Sequence, residues 1–181
     1  MTVFISGGAK NGKSTLAQNL AVALAQGEKH YYVATMIPVD GEDEDRIRRH
    51  VADRDGLGFE TLECGKDILS CLEKADKNGT FLVDSATALL QNAIFPREKN
   101  YEMDLEAARR CTEDLVRFVG MVRHAVVVSD YIYSNDQTFD EGTHAYCRCL
   151  AELDRRLARV CDTVVEACAG QYIVYKGALT L

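Results

Sequence analysis

The sequence predicts an α/β fold, a three-layer sandwich with a mostly parallel central sheet and helices on both of its faces. Runs of β-favouring residues alternate with segments that have apolar residues at helical spacing, from one end of the chain to the other. Two strand-like runs, residues 80–84 and 125–129, are apolar except at their ends, which is typical of strands buried in a parallel sheet. The 181 residues contain no linker-like segment, so we expect one domain over residues 1–181.

The same patterns give the order of the elements. Strands are predicted over residues 3–6, 31–35, 59–62, 80–84, 125–129, 163–167 and 172–175. Helices are predicted over residues 16–24, 42–54, 66–75, 101–123 and 146–160, and we expect 101–123 to be the longest. A polar loop over residues 131–142 precedes the last helix. Ligands of such a sheet bind at the carboxyl ends of the strands, so the residues that follow each strand are the candidates for function.

A phosphate-binding motif follows the first strand. The pattern G-x-x-x-x-G-K-[ST] is fitted by Gly7, Gly8, Ala9, Lys10, Asn11, Gly12, Lys13 and Ser14. In a strand–loop–helix context, backbone N–H groups and the helix N-terminus wrap phosphate oxygens. We expect Lys13 to reach the β- and γ-phosphates of a nucleoside triphosphate and Ser14 to bind Mg²⁺. The alternative, a chance match in a glycine-rich turn, fits poorly with the position between a strand and an amphipathic helix.

Two acidic residues end central strands. Asp84 is a candidate Mg²⁺ ligand, directly or through water, although Asp84 and Ser85 are also both good N-cap residues for the next helix. Asp130 follows the strand at 125–129 and is a second metal ligand, a base or a turn residue. The sequence leaves these alternatives open.

The segment over residues 40–54 places acidic residues first and then Arg46, Arg48, Arg49 and His50. This order suits the helix dipole, and a solvated helix face is the simple interpretation. However, His50 follows three arginines, and Arg46 lies one turn away on the same face. An imidazole among cations can attack a phosphorus centre and form a phosphoramidate, so His50 is a candidate nucleophile. The other histidines, at positions 30, 124 and 144, are weaker candidates for the nucleophile.

Composition, charge and cysteine spacing limit the classes of protein to which this chain can belong. The net charge of −7 argues against a nucleic-acid-binding surface but not against a local phosphate site. Seven cysteines occur without C-x-x-C spacing, which predicts a reduced protein without a zinc site. No signal peptide, lipidation motif or membrane-length apolar run is visible, so we expect a cytoplasmic protein with no membrane span.

The motifs together resemble the bifunctional adenosylcobinamide kinase / adenosylcobinamide-phosphate guanylyltransferase family of cobalamin biosynthesis. The matching pieces, in order, are V-F-I-S-G-G-A-K-N-G-K-S at residues 3–14, Y-V-A-T-M at 32–36, D-R-I-R-R-H at 45–50, T-L-E-C at 61–64 and F-L-V-D-S-A-T-A-L-L-Q-N at 81–92. V-V-V-S-D at 126–130 and the chain end, L-A-R-V-C-D-T-V-V with a final strand and K-G at 176–177, match less closely. The resemblance spans nearly the whole chain.

The resemblance implies a phosphate-loop domain of the kind found in NTPases, typically in a homotrimer. Family members phosphorylate the aminopropanol hydroxyl of adenosylcobinamide with a nucleoside triphosphate, and then transfer GMP from GTP through a guanylylated histidine. The histidine that closes R-I-x-x-H corresponds to His50. The implied nucleotide contacts are residues 7–14 of the loop and Ala34, Thr35, Met36, Val51, Ala52, Asp53, Arg54, Glu63 and Asp84.

The chain departs from the family after residue 128. Members usually continue N-E-V-G-x-G-I-V-P, whereas this chain has S-D-Y-I-Y-S-N-D over residues 129–136. The next helix has His144, Cys147 and Arg148 where Arg, Arg and Asp are usual, and Asp154-Arg155 replaces Asn-Gln. The nucleotide half of the site is thus kept, while a region facing the corrinoid or a neighbouring subunit is changed.

We therefore expect a Mg²⁺-dependent enzyme that uses ATP or GTP and a corrinoid, with Lys13, Asp84 and His50 as catalytic residues. Ser14 and Asp84 are the expected metal ligands, and charge developed at the phosphates is stabilised by Lys13 and nearby arginines. Two alternatives remain open from the sequence. One is a phosphate-loop kinase with a different small acceptor, and the other is a non-catalytic nucleotide-binding regulatory protein.

Overall fold

The computed structural model describes residues 1–132 and 140–179. Its strands are β1 (Thr2–Gly7), β2 (His30–Ala34), β3 (Glu60–Glu63), β4 (Thr80–Asp84), β5 (His124–Asp130), β6 (Thr163–Cys168) and β7 (Gln171–Lys176). They form a seven-stranded sheet in the order β3-β2-β4-β5-β1-β6-β7. Neighbouring strands are parallel except for β6 and β7, which are antiparallel. The predicted mostly parallel sheet is confirmed.

The α-helices are α1 (Lys13–Ala25), α2 (Gly41–Asp53), α3 (Ala86–Ile94), α4 (Leu105–Met121) and α5 (Glu141–Val160). The helix expected after Ser85 is α3. Short 3₁₀ helices span Ile68–Glu73 and Arg97–Lys99. No helix within residues 1–132 and 140–179 is both long and apolar enough to cross a membrane.

Two apolar cores lie on opposite faces of the sheet, as the alternation of side chains along each strand requires. Val3 and Ile5 of β1 pack in one core with Leu16 and Leu20 of α1. Phe4, between them, packs in the other core, which contains apolar residues of α3, α4 and α5. Helices on both faces confirm the three-layer sandwich. Helix α2 has no buried residue and belongs to neither core.

The predicted α-helix over residues 66–75 is wrong, because only a 3₁₀ helix forms there. Asp67 adopts a left-handed conformation (φ +42°) directly before the first turn. The N–H of Ser70 donates to the carbonyl of Asp67, and the N–H of Lys74 to that of Cys71, so the hydrogen bonds reach back three residues. The left-handed residue and the following turn leave no room for an α-helix of the expected length.

The expectation that residues 101–123 form the longest helix is also wrong. Asn100 and Tyr101 both have positive φ angles, of 51° and 61°, so a right-handed helix cannot start at residue 101. Asp104 instead caps α4, because its carboxylate accepts a hydrogen bond from the N–H of Ala107. The resulting α4 has 17 residues, whereas α5 has 20.

Candidate functional site

Most of the candidate residues lie along one edge of the sheet. Because β1 to β6 are parallel, their carboxyl ends meet there, and the register pairs Gly7 with Asp130 and Ala34 with both Asp84 and Glu63. The strand order therefore gives a row that runs from the loop after β1, past Asp130 and Asp84, to Glu63. Glu63 is four strands from Gly7, about 19 Å at the usual strand spacing, and its side chain is exposed.

Glycines set the shape of the loop over residues 7–14, which we call the phosphate loop. A Cβ atom at Gly7 would lie 2.5 Å from the carbonyl oxygen of Ala167, so a side chain cannot be placed there. Gly12 has φ +82°, which favours glycine, and occupies the N-cap of α1. No side chain caps α1, and its first turn contains no acidic residue. The positive end of the helix and its unpaired N–H groups thus remain available to an anion.

The Lys13 ammonium is buried at the start of α1, where its residue is 6% exposed. Its Nζ donates to the carbonyl of Gly8 (2.6 Å) and forms an ion pair with Oδ1 of Asp130 (2.7 Å). The Asp130 N–H donates to Oγ1 of Thr87 (2.8 Å), which fixes the end of β5. The sequence left Asp130 as a metal ligand, base or turn residue, and the structure gives it a specific partner, the lysine of the phosphate loop.

Asp84 lies two strands from β1, at the end of β4. Its Oδ2 accepts a hydrogen bond from the hydroxyl of Tyr32 (2.9 Å). Ser85 is the N-cap of α3, because its Oγ accepts a hydrogen bond from the N–H of Ala88 (3.2 Å). The capping role that the sequence allowed for either residue therefore belongs to Ser85. The second carboxylate oxygen of Asp84 has no hydrogen-bond partner in the described part of the chain.

Thr35 follows β2 and is fully buried. Its Oγ1 donates to the carbonyl of Ser85 (2.8 Å) and accepts from the Ser85 N–H (2.7 Å). Its own N–H donates to the carbonyl of Asp84, and its carbonyl accepts from Nδ2 of Asn92 (2.8 Å). The hydroxyl and N–H of Thr35 thus join the ends of β2 and β4, and its carbonyl accepts a hydrogen bond from α3. The sequence gave no signal for the role of Asn92, which also donates to the carbonyl of Gly65 (2.9 Å).

His50 lies in the last turn of α2. Its Nδ1 is buried and makes no hydrogen bond within the described residues, which leaves Nε2 as the ring nitrogen that can reach a ligand. Helix α2 is capped by Asp40, whose carboxylate accepts from the N–H of Asp43 (3.0 Å). On its N-terminal side, the guanidinium of Arg97 donates to the carbonyl of Pro38. Helix α2 buries no residue, so these contacts at its N-terminal end are polar.

The end of α2 is fixed on Tyr32. The guanidinium carbon of Arg54 lies 4.1 Å from the centre of the Tyr32 ring, and Nη2 of Arg54 donates to Oγ1 of Thr61 (3.2 Å). Burial, with the adjacent Asp84 carboxylate, raises the pKa of the Tyr32 hydroxyl far above its ordinary value. The charges of Arg54 and Arg46 act in the opposite direction on that pKa. Val51, Ala52 and Asp53 are exposed.

The residues present suit a magnesium ion that is bound together with a nucleotide. The described residues contain no group of three or more His, Cys, Asp or Glu side chains able to hold a metal ion. Mg²⁺ differs from most protein-bound metals in needing only one or two protein oxygens when substrate phosphates and water supply the rest. The half-buried Ser14 hydroxyl and the free Asp84 oxygen are donors of that kind.

A second polar cluster flanks the phosphate loop on the β6 side, and sequence analysis missed it. Glu166 of β6 accepts a hydrogen bond from the hydroxyl of Tyr175 (2.7 Å) and also interacts with the hydroxyl of Tyr131. These contacts raise the pKa values of both phenols. Tyr131 belongs to the segment in which the chain departs from the family. Residues 133–139 of that segment, within the loop expected over 131–142, lie outside the described residues.

Comparison with solved structures supports the fold. An ATPase of a bacterial type III secretion system is 13% identical, with a TM-score of 0.53, over 93% of this chain and 51% of that chain. A Pyrococcus horikoshii OT3 protein is 11% identical, with a TM-score of 0.54, over 98% and 87%. A further ATPase domain is 10% identical, with a TM-score of 0.55, over 97% and 76%. At these identities the likeness shows the fold alone, that of phosphate-loop ATPase domains.

No curated protein matches the chain significantly. A family model described as cobinamide kinase / cobinamide phosphate guanyltransferase matches residues 3–174, nearly the whole chain. The match includes the phosphate loop, the R-I-x-x-H segment with His50, and the strand that ends at Asp84. The chain therefore belongs to the cobinamide kinase / cobinamide phosphate guanyltransferase family.

Proposed function

We propose that this protein phosphorylates the aminopropanol hydroxyl of adenosylcobinamide with a nucleoside triphosphate and then joins GMP from GTP to the new phosphate. The observation that carries this proposal is the family match over residues 3–174. The row of Lys13, Asp130 and Asp84 along the carboxyl edge of the sheet supports it, because phosphoryl transfer needs positive charge and an acidic metal ligand at one place.

In the kinase step, the triphosphate lies on the phosphate loop at the N-terminus of α1. Lys13 moves from Asp130 to the β- and γ-phosphates, so one anionic partner replaces another without leaving the ammonium unpaired. Ser14 and Asp84 hold Mg²⁺, which when bound neutralises charge on the phosphate oxygens. The acceptor hydroxyl oxygen bonds to the γ-phosphorus and gives its proton to water, while the bond from that phosphorus to the β-phosphate oxygen breaks and the nucleoside diphosphate leaves.

In the guanylyl step, Nε2 of His50 attacks the α-phosphorus of GTP. A P–N bond forms, the bond to the β-phosphate oxygen breaks, and pyrophosphate leaves. An oxygen of the cobinamide phosphate then attacks the same phosphorus, and the P–N bond breaks to restore His50. Arg54, which lies over the Tyr32 ring, and Arg46, one turn before His50, stabilise the charge that develops on the phosphates.

The other nucleotide contacts that the resemblance implies are supported by different observations. Ala34 and Met36 flank Thr35 at the edge where a nucleotide lies, and Glu63 at the far end of the row suits a ribose hydroxyl. For Thr35 we propose a positioning role, because its polar groups are all used within the fold. Val51, Ala52 and Asp53 are exposed beside His50 and are open to a bound base.

We also propose that the protein forms a homotrimer. Support comes from the edge strand β7, whose six residues are all exposed and include Tyr172, Ile173, Val174 and Tyr175. An exposed apolar edge strand of this kind is a ready surface for another chain. Sedimentation equilibrium measures the number of subunits directly, and a monomer at micromolar concentration contradicts this part of the proposal.

The guanylyl step is tested by incubating the protein with α-labelled GTP and Mg²⁺. We expect label that is stable to alkali and labile to acid, as a phosphoramidate is, and we expect none in His50→Ala. His124→Ala is the matched control, since His124 starts β5 and so lies at the amino ends of the parallel strands, away from the site at their carboxyl ends. Equal labelling of His50→Ala and the wild type contradicts the role of His50.

One observation favours a second candidate function, a kinase for a different acceptor. Tyr131 and its contact with Glu166 stand beside the phosphate loop where family members have valine. Triphosphate turnover with and without cobinamide separates the two candidates. Turnover stimulated by cobinamide supports the first, and turnover with other alcohols alone supports the second. Nucleotide binding without any turnover indicates a regulatory protein.

A further inference from the structure

Tyr32 lies between the two parts of the site that the proposed function assigns to different reactions. The side chain is buried at 4% exposure on the face of the sheet that α1 covers. Its hydroxyl donates to Oδ2 of Asp84 (2.9 Å), and its ring supports the guanidinium of Arg54 (4.1 Å). Tyr32 thus contacts both Asp84, the carboxylate proposed for the kinase step, and Arg54, at the end of the helix that bears His50.

The two contacts use different parts of the side chain. The hydroxyl fixes the rotation of the Asp84 carboxylate and leaves its second oxygen free in a defined direction. The ring face holds a cation, and this interaction needs no hydroxyl. Because α2 buries no residue in either core, contacts at its ends decide how it lies on the sheet. Arg54, placed by the ring of Tyr32 and by Thr61, is one of those contacts.

We propose that Tyr32 is a positioning residue for both reactions: its hydroxyl orients Asp84 for the metal–nucleotide complex, and its ring, through Arg54, orients the His50 helix for guanylyl transfer. The inference rests on the proposed function, since it assigns the two contacts to the two steps. Tyr32 itself touches no reacting atom. The consequence is that the two steps can be separated by substitutions at this single position.

The test compares Tyr32→Phe, which removes only the hydroxyl, with Tyr32→Leu, which also removes the ring. For Tyr32→Phe we expect about a tenfold rise in the Mg²⁺ concentration needed for half-maximal binding of a non-hydrolysable triphosphate, as for loss of one hydrogen bond to a charged group. Kinase activity at limiting Mg²⁺ falls with it, while the rate of His50 labelling by GTP at saturating Mg²⁺ changes less than about twofold. For Tyr32→Leu we expect both effects and at least about a tenfold loss of labelling rate.

Tyr31→Phe is the matched control. Tyr31 is the adjacent buried tyrosine, at 1% exposure, and its side chain packs in the opposite core. Its hydroxyl accepts a hydrogen bond from the N–H of Asp76 (3.0 Å), so this substitution also removes one phenol hydrogen bond from the interior. We expect it to lower thermal stability and to leave the Mg²⁺ requirement and the labelling rate unchanged.

A double-mutant cycle tests the path through Arg54. If Tyr32 acts on α2 through Arg54, Tyr32→Leu and Arg54→Met reduce labelling non-additively, and the double variant is little worse than either single one. The proposal is overturned if Tyr32→Phe lowers both steps equally, if Tyr31→Phe matches it, or if the two losses add. If the wild type shows neither labelling of His50 nor phosphorylation of cobinamide, the proposed function is wrong. The Mg²⁺ requirement for nucleotide binding still tests the role of the Tyr32 hydroxyl in that case.

Discussion

The ion pair between Lys13 and Asp130 can be tested by Asp130→Asn. The substitution keeps the shape of the side chain and the backbone hydrogen bond to Thr87, and removes only the negative charge. Lys13 is then buried with neutral partners alone, the carbonyl of Gly8 and the amide oxygen that the substitution introduces. Removal of one member of a fully buried pair costs about 3–5 kcal/mol. Because Asp130 is 24% exposed and the Gly8 contact persists, we expect a loss of about 2 kcal/mol in the free energy of unfolding.

Urea unfolding followed by circular dichroism measures this loss. For a domain of this size, about 2 kcal/mol also lowers Tm by about 4–8 °C. Glu98→Gln is the control, since it removes the same charge from an exposed pair with Lys66, and we expect no measurable change. An Asp130→Asn variant as stable as the wild type means that Asp130 does not stabilise the buried ammonium.

The same substitution, although it lowers stability, is expected to strengthen nucleotide binding. In the wild type, a triphosphate has to replace Asp130 as the partner of Lys13, so part of the binding free energy is spent on separating that pair. In Asp130→Asn the ammonium has no carboxylate to give up. If the full 2 kcal/mol is recovered, a non-hydrolysable triphosphate binds about 30-fold more tightly, which titration calorimetry detects. Weaker binding by the variant refutes the exchange, because it shows that Asp130 assists the nucleotide.

Two further predictions concern other parts of the fold. Gly7→Ala places a Cβ atom 2.5 Å from the carbonyl oxygen of Ala167, so we expect a loss of about 1–3 kcal/mol in urea unfolding, whereas Gly120→Ala, with no atom within 4 Å, should leave stability equal or slightly higher. A hydrogen bond from Cys71 lowers the pKa of Cys64 from its ordinary 9 to about 7, and the pKa of Cys71 is raised. The folded pair therefore releases one proton at a lower pH than the unfolded thiols do. The free energy of unfolding of the wild type, relative to that of Cys64→Ser, should rise from pH 7 to pH 9. This added stability should be lost as the pH falls through 7. Urea midpoints of the two proteins across this range check the sign, and a constant difference contradicts it.

Strands and the face of each helix could be predicted from sequence because burial imposes a period on the residue pattern. β1 shows this, since Val3 and Ile5 enter one core and Phe4 the other. The ends of helices depend on single backbone conformations that leave little trace in composition. Nothing in the pattern distinguishes Asn100 and Tyr101, with positive φ, from the first turn of a helix. The same holds for Asp67, which limits its segment to a 3₁₀ helix.

Some residues of the candidate site could be selected from the sequence, and their partners in the fold could not. The phosphate loop, Asp84 and His50 could be selected because their residue types have a known chemistry at that spacing. Their partners could not, because alternating strands and helices do not determine the order of strands in the sheet. In the observed order, β2 neighbours β4, which brings Tyr32 next to Asp84, and β5 neighbours β1, which brings Asp130 within reach of Lys13. The sequence marked Asp130 as an acid at the end of a strand, but it contains no local signal that pairs Asp130 with Lys13 or Tyr32 with Asp84.

The sequence of helix α2 allowed two interpretations, and the structure confirms one of them. Its charged sequence predicted a solvated helix, and the helix indeed buries no residue. Its R-I-x-x-H segment also predicted a nucleophile, which stays a prediction, and Arg54, one turn after His50, contacts the ring of Tyr32. A helix held at its ends by polar contacts can shift at lower energetic cost than one fixed in a core. In the proposed function, His50 first receives GMP and then delivers it to a second substrate. The lack of apolar burial in α2 is consistent with a movement between these two steps.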